Sequence, residues 1–384
     1  MKVKSALSKY VMVIATVLVI LFFTIATGGK LLFPQNVNNL IAQNAYVFVL
    51  AAGMLLCILT GGNIDLSVGS IVCLVGAIGA TIMVKQKMPM GLAIVVMLAV
   101  GLLIGVWQGY LIAYIKVPPF ICTLAGMLTW RGLSNVVLQG LTIAPMPDAF
   151  LNMFNSYVPD MVPATAKINE TAIIVGIVIS VFFLVYKLKE RAERTKKGYE
   201  NVSMKNAIIT DTILVAVIMF FMIELSMYKG IPVILIWVAV IVAIYGYITS
   251  KTTIGRHLYA VGGNQKATRL SGIDTKRVFF FAYANVAFLS AVTAMIVMAR
   301  LNSSNPTAGT NYEMDAIGSC FIGGASAYGG SGSIGGVMIG AILMGVLNLG
   351  MSIMGVDANW QKVVKGGVLL AAVVFDVVSK KKQD

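Results

Sequence analysis

The stretch YEMDAIGSCFIGGASAY, Tyr312 to Tyr328, decides how many times this chain changes sides of a membrane. Strong apolar runs flank it near 278–299 and 333–352, but the stretch itself holds three glycines, Glu313 and Asp315. If it crosses, the basic tail Lys380–Lys382 ends on the same side as Lys2, Lys4 and Lys9; if it does not, the two basic ends fall on opposite sides.

That a bilayer is the solvent follows from composition. The 384 residues are 58% hydrophobic and only 11% charged, with a mean hydropathy of +0.89, whereas soluble domains carry about 25% charged residues. Runs of about 20 apolar residues are long enough to span a bilayer. They lie near 10–27, 41–60, 66–84, 90–115, 118–138, 171–187, 207–227, 231–250, 278–299, 333–352 and 360–378, with 312–328 as the weak twelfth. The first run follows a basic start and has no small-residue cleavage site, so it reads as a retained span and not a removed signal peptide.

Charge supports twelve crossings. With the N-terminus inside and all twelve segments crossing, the inside segments hold 20 Lys and Arg and the outside segments 6, with Arg131, Lys362 and Lys365 in spans. This is the excess of basic residues expected of cytoplasmic loops. It also explains the net charge of +14 without a nucleic-acid partner. The basic loop 187–206, KLKERAERTKKGYENVSMKN, reads as a positive-inside anchor, with a docking surface or anionic-lipid contact as the alternative.

An internal likeness agrees. The run from Ile104, IGVWQGYLIAYIKVPPFICTLAGML, resembles that from Met344, MGVLNLGMSIMGVDANWQKVVKGGVLL; Gly105 and Gly126 are 21 residues apart, as are Gly345 and Gly366. Upstream, Asp65 to Ser70 faces Asp315 to Ser319. The expected fold is all-α and polytopic, with about twelve transmembrane segments and both termini cytoplasmic. Two inverted four-helix repeats, 41–138 and 278–378, face each other, an arrangement common in transporters. The divisions are a first span and outer loop (1–40), repeat 1 (41–138), additional spans (139–250), a cytoplasmic loop (251–277), and repeat 2 with the basic tail (278–384).

Few classes of chemistry survive inspection. No GxxxxGK[ST], HExxH, GxSxG or paired-cysteine motif occurs. His257 is the only histidine, and Cys57, Cys73, Cys122 and Cys320 all sit in apolar runs as packing residues. No catalytic residue, metal site or cofactor of this chain's own is expected. Ionisable residues within or at the ends of the spans are Asp65, Arg131, Glu224, Asp315, Lys362, Lys365 and Asp376, weak material for an ion-coupled pump. The spans do hold amides. Asn44, Gln108, Asn135, Asn285 and Asn348, with Tyr46, could line a path for a neutral, hydroxyl-rich solute, or they could bond helix to helix. Gly76, Gly79, Gly101, Gly105, Gly336 and Gly340 read as close-packing positions.

The loop 251–277, KTTIGRHLYAVGGNQKATRLSGIDTKR, has too much pattern for a passive linker. Asn264 is placed as an N-cap and Gly272 as the residue after the C-cap. Between them a two-turn helix carries Ala267 and Leu270 on one side.

IDLSVGS, VPPFICTLAGML, GRHLYAVGGN, LSGI and FIGGASAYGG together resemble the signatures of ABC-importer permeases of the ribose/xylose/galactose group, along nearly the whole chain. QNAYVFVLAAGM, GLTIAPMPDAF, RLNSSNPTAGT and GMSIMGV are closest to the multiple-monosaccharide permeases. The resemblance implies a dimer with a second permease copy, a cytoplasmic sugar-importer ATPase that binds ATP and magnesium, and an extracytoplasmic sugar-binding protein. It also implies that Gly255, Asn264, Ala267, Arg269, Leu270, Ser271, Gly272 and Ile273 couple to the ATPase. Residues 171–228 depart from the shorter ribose-type pattern. A permease for a branched-chain amino acid or nucleoside, or an ion-coupled secondary transporter, stays open on the residues alone.

The counterpart of the opening stretch is GGNIDLSVGS, Gly61 to Ser70. Its expected role is a joint: Gly61 and Gly62 reverse the chain, Asp65 caps the next helix against its free N–H groups and dipole, and Ser67 adds an acceptor before Gly69. Asp315 and Gly318 would form the matching joint on the other side.

Overall fold

The computed structural model describes residues 2–161, 168–199 and 203–381; Lys167, residues 200–202 of the basic loop, and Lys382 at the tail lie outside them. Fifteen α-helices are present in this range: α1 (Lys2–Ala26), α2 (Pro34–Leu59), α3 (Val68–Ala80), α4 (Met90–Tyr110), α5 (Pro119–Leu138), α6 (Asp148–Asn155), α7 (Glu170–Lys196), α8 (Met204–Ser226), α9 (Val233–Lys251), α10 (Thr253–Gly263), α11 (Gln265–Leu270), α12 (Thr275–Leu301), α13 (Tyr312–Ile322), α14 (Ile334–Ile353) and α15 (Ala358–Lys381). A π turn extends α3 through Lys85 and α4 through Ile115.

Nine helices among the described residues are long and apolar enough to cross a membrane: α2, α3 and α4 with their π turns, α5, α7, α8, α9, α12 and α14. The chain is therefore an all-α, multi-pass membrane protein. The stretch 312–328 is not a span helix. Helix α13 has 11 residues, about 16 Å at 1.5 Å per residue, against a hydrocarbon core of about 30 Å. It ends where Gly323 and Gly324 follow, the latter at φ +87°, and Gly329, Gly330 and Gly332 also take positive φ, which β-carbons disfavour.

The segment nevertheless runs along the bundle. The Tyr312 ring stacks on Tyr46 of α2 at 3.7 Å, Cys320 Sγ lies 3.4 Å from Ala51 O, and Gly330 N–H donates to Leu59 O. Thus α13 and the loop after it descend beside α2 from Tyr46 to Leu59, about 20 Å.

Helix α12 is the hub, packed on α2, α3 and α4. Gly101 and Gly105 of α4 face it so closely that a β-carbon would fall 2.4 Å from Ala291 Cβ and 2.8 Å from Ala284 Cα. In lipid, such small-residue contacts hold helices together, because apolar burial drives nothing there. Helices α7 and α8 differ: α7 packs on α8, α8 on α2, and both present mostly exposed apolar side chains such as Ile174, Val178, Phe182 and Ile213.

Gly105→Ile is expected to lower stability by about 1–3 kcal/mol through overpacking, read as a lower melting temperature in detergent. Gly132→Ala, where a β-carbon meets nothing within 4 Å, should melt no lower than the wild type.

Candidate functional site

The loop 251–277 folds into two short helices at one end of the bundle. Thr252 Oγ1 accepts the Gly255 N–H at 3.2 Å and caps α10. Gly255 is buried against the carbonyls of Ile248 and Thr249, where a β-carbon would lie 2.3 and 2.5 Å away, so the turn from α9 into α10 needs glycine. Asn264 Oδ1 accepts the Ala267 N–H at 3.0 Å. Helix α11 ends at Leu270, Ser271 follows, and Gly272 takes φ +88°, a left-handed close for which glycine is preferred.

A buried threonine that the pattern did not single out holds α11 down: Thr268 Oγ1 is 2.8 Å from both Ala260 O and Asn264 O. With Thr268 inward, Ala267, Arg269, Leu270, Ser271 and Gly272 face outward, and Leu270 is 89% exposed. Ile273 packs against the core. A second anchor is Tyr259, whose hydroxyl donates to Gly332 O at 2.8 Å; partial burial pushes this phenol above its ordinary value, so it stays a donor. Gly262 sits against Leu59 O and Gly330. Helix α10 therefore rides on the end of α2 and on the glycine loop after α13, and carries α11 with it through Thr268. Beside them opens a cavity of about 990 Å³ whose walls include Lys116, Lys266, Arg269 and Lys276.

Inside the bundle, two non-helical segments enter from opposite ends. Residues 60–67 rise from the α10 end. Residues 302–311 descend from the other: Ser304 exchanges backbone bonds with Ile143, Asn305 and Pro306 lie near Cys73 Sγ, and Gly309 meets Gly69. The last contact is reciprocal. A β-carbon on Gly69 would lie 2.1 Å from Gly309 O, and one on Gly309 2.1 Å from Gly69 O. Helices α3 and α13 start at this meeting point.

Asp65 acts differently from a cap. Helix α3 begins at Val68 after Ser67, with no side chain on its free N–H groups. Asp65, three residues earlier, spends Oδ1 on the Ser67 N–H (2.8 Å) and hydroxyl (2.6 Å), closing a turn ahead of the helix. Ser67 is a donor there, and its Oγ also lies 3.1 Å from Gln108 Nε2. Gly61 and Gly62, at φ +124° and +75°, do turn the chain. Asp315 closes no such turn. It sits in the first turn of α13, fully buried, accepts the Tyr46 hydroxyl, and pairs with Lys365 of α15 at 3.0 Å. Gly318 packs against Met344 of α14.

The six polar side chains offered as a path do not converge. Asn44 of α2 accepts from Asn348 of α14 (3.3 Å), Tyr46 holds Asp315, Gln108 holds Ser67, and Asn285 of α12 accepts from Tyr245 of α9 (2.9 Å). Each pair ties two elements together; Asn135 alone is exposed, on α5. No group of three or more His, Cys, Asp or Glu placed to hold a metal ion occurs among the described residues.

Removing one partner of a buried ion pair costs about 3–5 kcal/mol, because the other charge is stranded. Lys365→Met should therefore melt well below the wild type in detergent. The double variant Lys365→Met/Asp315→Asn, which removes the stranded charge and keeps an acceptor for Tyr46, should recover most of the loss.

Comparison with known proteins places the chain. Residues 36–373 match the family model described as the branched-chain amino acid transport system / permease component. The chain is 38% identical over 383 residues to the xylose transport system permease protein XylH of Haemophilus influenzae, covering 99% of each. It is 37% identical to XylH of Escherichia coli K12, covering 98% of this chain and 93% of that one. It is 33% identical to the ribose import permease protein RbsC of Haemophilus influenzae, covering 89% and 85%. No solved structure matches. The chain belongs to the family of membrane permease components that includes these ABC-type xylose and ribose permeases.

Proposed function

We propose that this chain is the membrane subunit of an ATP-driven bacterial importer for a monosaccharide of the xylose type, in the cytoplasmic membrane. The observation that carries this reading is end-to-end similarity: the relatives named for xylose transport match 98–99% of the chain at 37–38% identity. The permease itself is not an enzyme. ATP and magnesium belong to a cytoplasmic ATPase, sugar arrives on an extracytoplasmic binding protein, and a second permease copy completes the path.

The proposed topology is twelve crossings: the nine long helices, α1, α15, and the broken segment 302–333. Two features support inverted repeats. The non-helical entries 60–67 and 302–311 come from opposite ends, and the close approach of Gly69 and Gly309 is reciprocal. In this reading the meeting point is the pivot about which the repeats rock.

Coupling is assigned to α10 and α11. The bond of Thr268 to Ala260 O and the seat of α10 on Leu59 and Gly330 let force on α11 reach both α2 and the α13 loop, which belong to different repeats. Ala267, Leu270 and Ser271 form the contact with the ATPase, and Asn264 and Gly272 set its ends. The solute path needs only weak binding, and the engaged amides make no tight site. Asn135 on exposed α5 is the one of the six amide and tyrosine candidates retained for the path.

Leu270→Asp places a carboxylate on an 89% exposed position, so insertion and melting temperature should stay unchanged. Co-purification of the sugar-importer ATPase and ATP-dependent uptake should both fall at least tenfold. Undiminished uptake by this variant would contradict the coupling assignment. Uptake of a branched-chain amino acid in place of sugar by the intact system would contradict the substrate class.

A further inference from the structure

Between α2, α8, α9 and α14 lies a cavity of about 330 Å³ in the half of the bundle away from α10 and α11. Leu40 and Phe48 of α2, Phe221 and Met222 of α8, Leu235 of α9 and Ile342 of α14 wall it. Asn44 is the one polar residue in the lining, and its amide is already engaged with Leu40 O and Asn348. A cavity without free polar partners does not hold water, and a hydroxyl-rich sugar would leave its own hydroxyls unpaired there.

The cavity lies where the α7–α8 pair meets the rest of the molecule. Beyond it, toward the end opposite α10, Asn169 N–H donates to Ser226 O and joins α7 to α8, while Asn38 Nδ2 reaches Gly230 O and Val158 N–H donates to Ile231 O, pinning the pair. Below that clasp α8 faces α2 across the apolar gap. A helix, with a diameter of about 10 Å, is too wide to fill it. The medium around α7 and α8 is lipid, as their exposed Ile174, Val178, Phe182 and Ile213 require.

We propose that one acyl chain of a membrane phospholipid occupies this cavity as a structural ligand and joins the α7–α8 pair to α2. An apolar cavity of about 150 Å³ takes up benzene, so this volume accepts a chain segment on the order of a dozen carbons. The inference depends on the multi-pass membrane fold and not on the transported solute. It gives residues 171–228 a role in building a lipid-filled seam.

The test reconstitutes the full chain in phosphatidylethanolamine and phosphatidylglycerol vesicles doped with a phospholipid carrying a mid-chain diazirine. After irradiation, adducts are mapped by mass spectrometry. Phe221, Met222, Leu235 and Met338 should label at least threefold above Phe182, which is 73% exposed on α7, because a resident chain stays longer than a passing one. Ala341→Leu, which fills the cavity from a buried wall position, should abolish that excess and leave Phe182 unchanged. Ala239→Phe, from the opposite wall, serves the same purpose if Ala341→Leu does not insert. Wall labelling no higher than at Phe182, or an excess that survives a filling variant that inserts, would overturn the proposal.

Discussion

The architecture depends on one contact without side chains, the approach of Gly69 to Gly309. Two stretches of backbone that are not helical, 60–67 and 302–311, enter an apolar bundle from opposite ends, and the second meets the first turn of α3, directly after the first, with no room for a β-carbon on Gly69 or Gly309. Non-helical backbone is tolerated at such depth only where its N–H and C=O groups find partners inside the protein. The two stretches meet that demand differently. Residues 60–67 are satisfied mainly from within, by Thr60, Asn63 and Asp65 bonding their own neighbours. Residues 302–311 borrow: Arg131 of α5 donates to Pro306 O and Ala308 O, and Ile143 exchanges two bonds with Ser304.

This accounts for the charges inside the bundle without assigning them to ion transport. Arg131 is a backbone partner for a broken segment. Asp315 and Lys365 tie α13 to α15, and Tyr46 joins α2 to the same carboxylate. Helix α15 is otherwise lightly attached, so these polar contacts, with Asp376 accepting the Ala327 N–H at 3.2 Å, set its position. In a medium where burying apolar surface against a neighbour gains little, a few satisfied polar pairs and close glycine contacts do what a hydrophobic core does in water.

Much of this was legible in the sequence. Apolar runs of spanning length located the nine long helices, because length and hydropathy suffice for that. The caps of α11 were readable from Asn264 and Gly272, whose preferences are local. What local pattern could not supply were pairings between distant segments: Lys365 with Asp315, Tyr46 with Asp315, Arg131 with the 306–308 carbonyls. A span estimate also treats Tyr312–Tyr328 as helix or not, whereas serial glycines make it half of each. Asp65 had the composition of a cap but lies two residues before the N-cap position, Ser67, and the spacing to Val68 was the available clue. The amides looked like a polar lining because one-dimensional pattern cannot say which of them face each other.

The most direct test of the account is uptake of radiolabelled xylose into proteoliposomes holding this chain with the ATPase and binding protein proposed for it, each component omitted in turn. The account predicts uptake that requires all three and ATP, and none from this chain alone under a proton or sodium gradient. Gradient-driven uptake by this chain alone, without ATP or the other subunits, would contradict it.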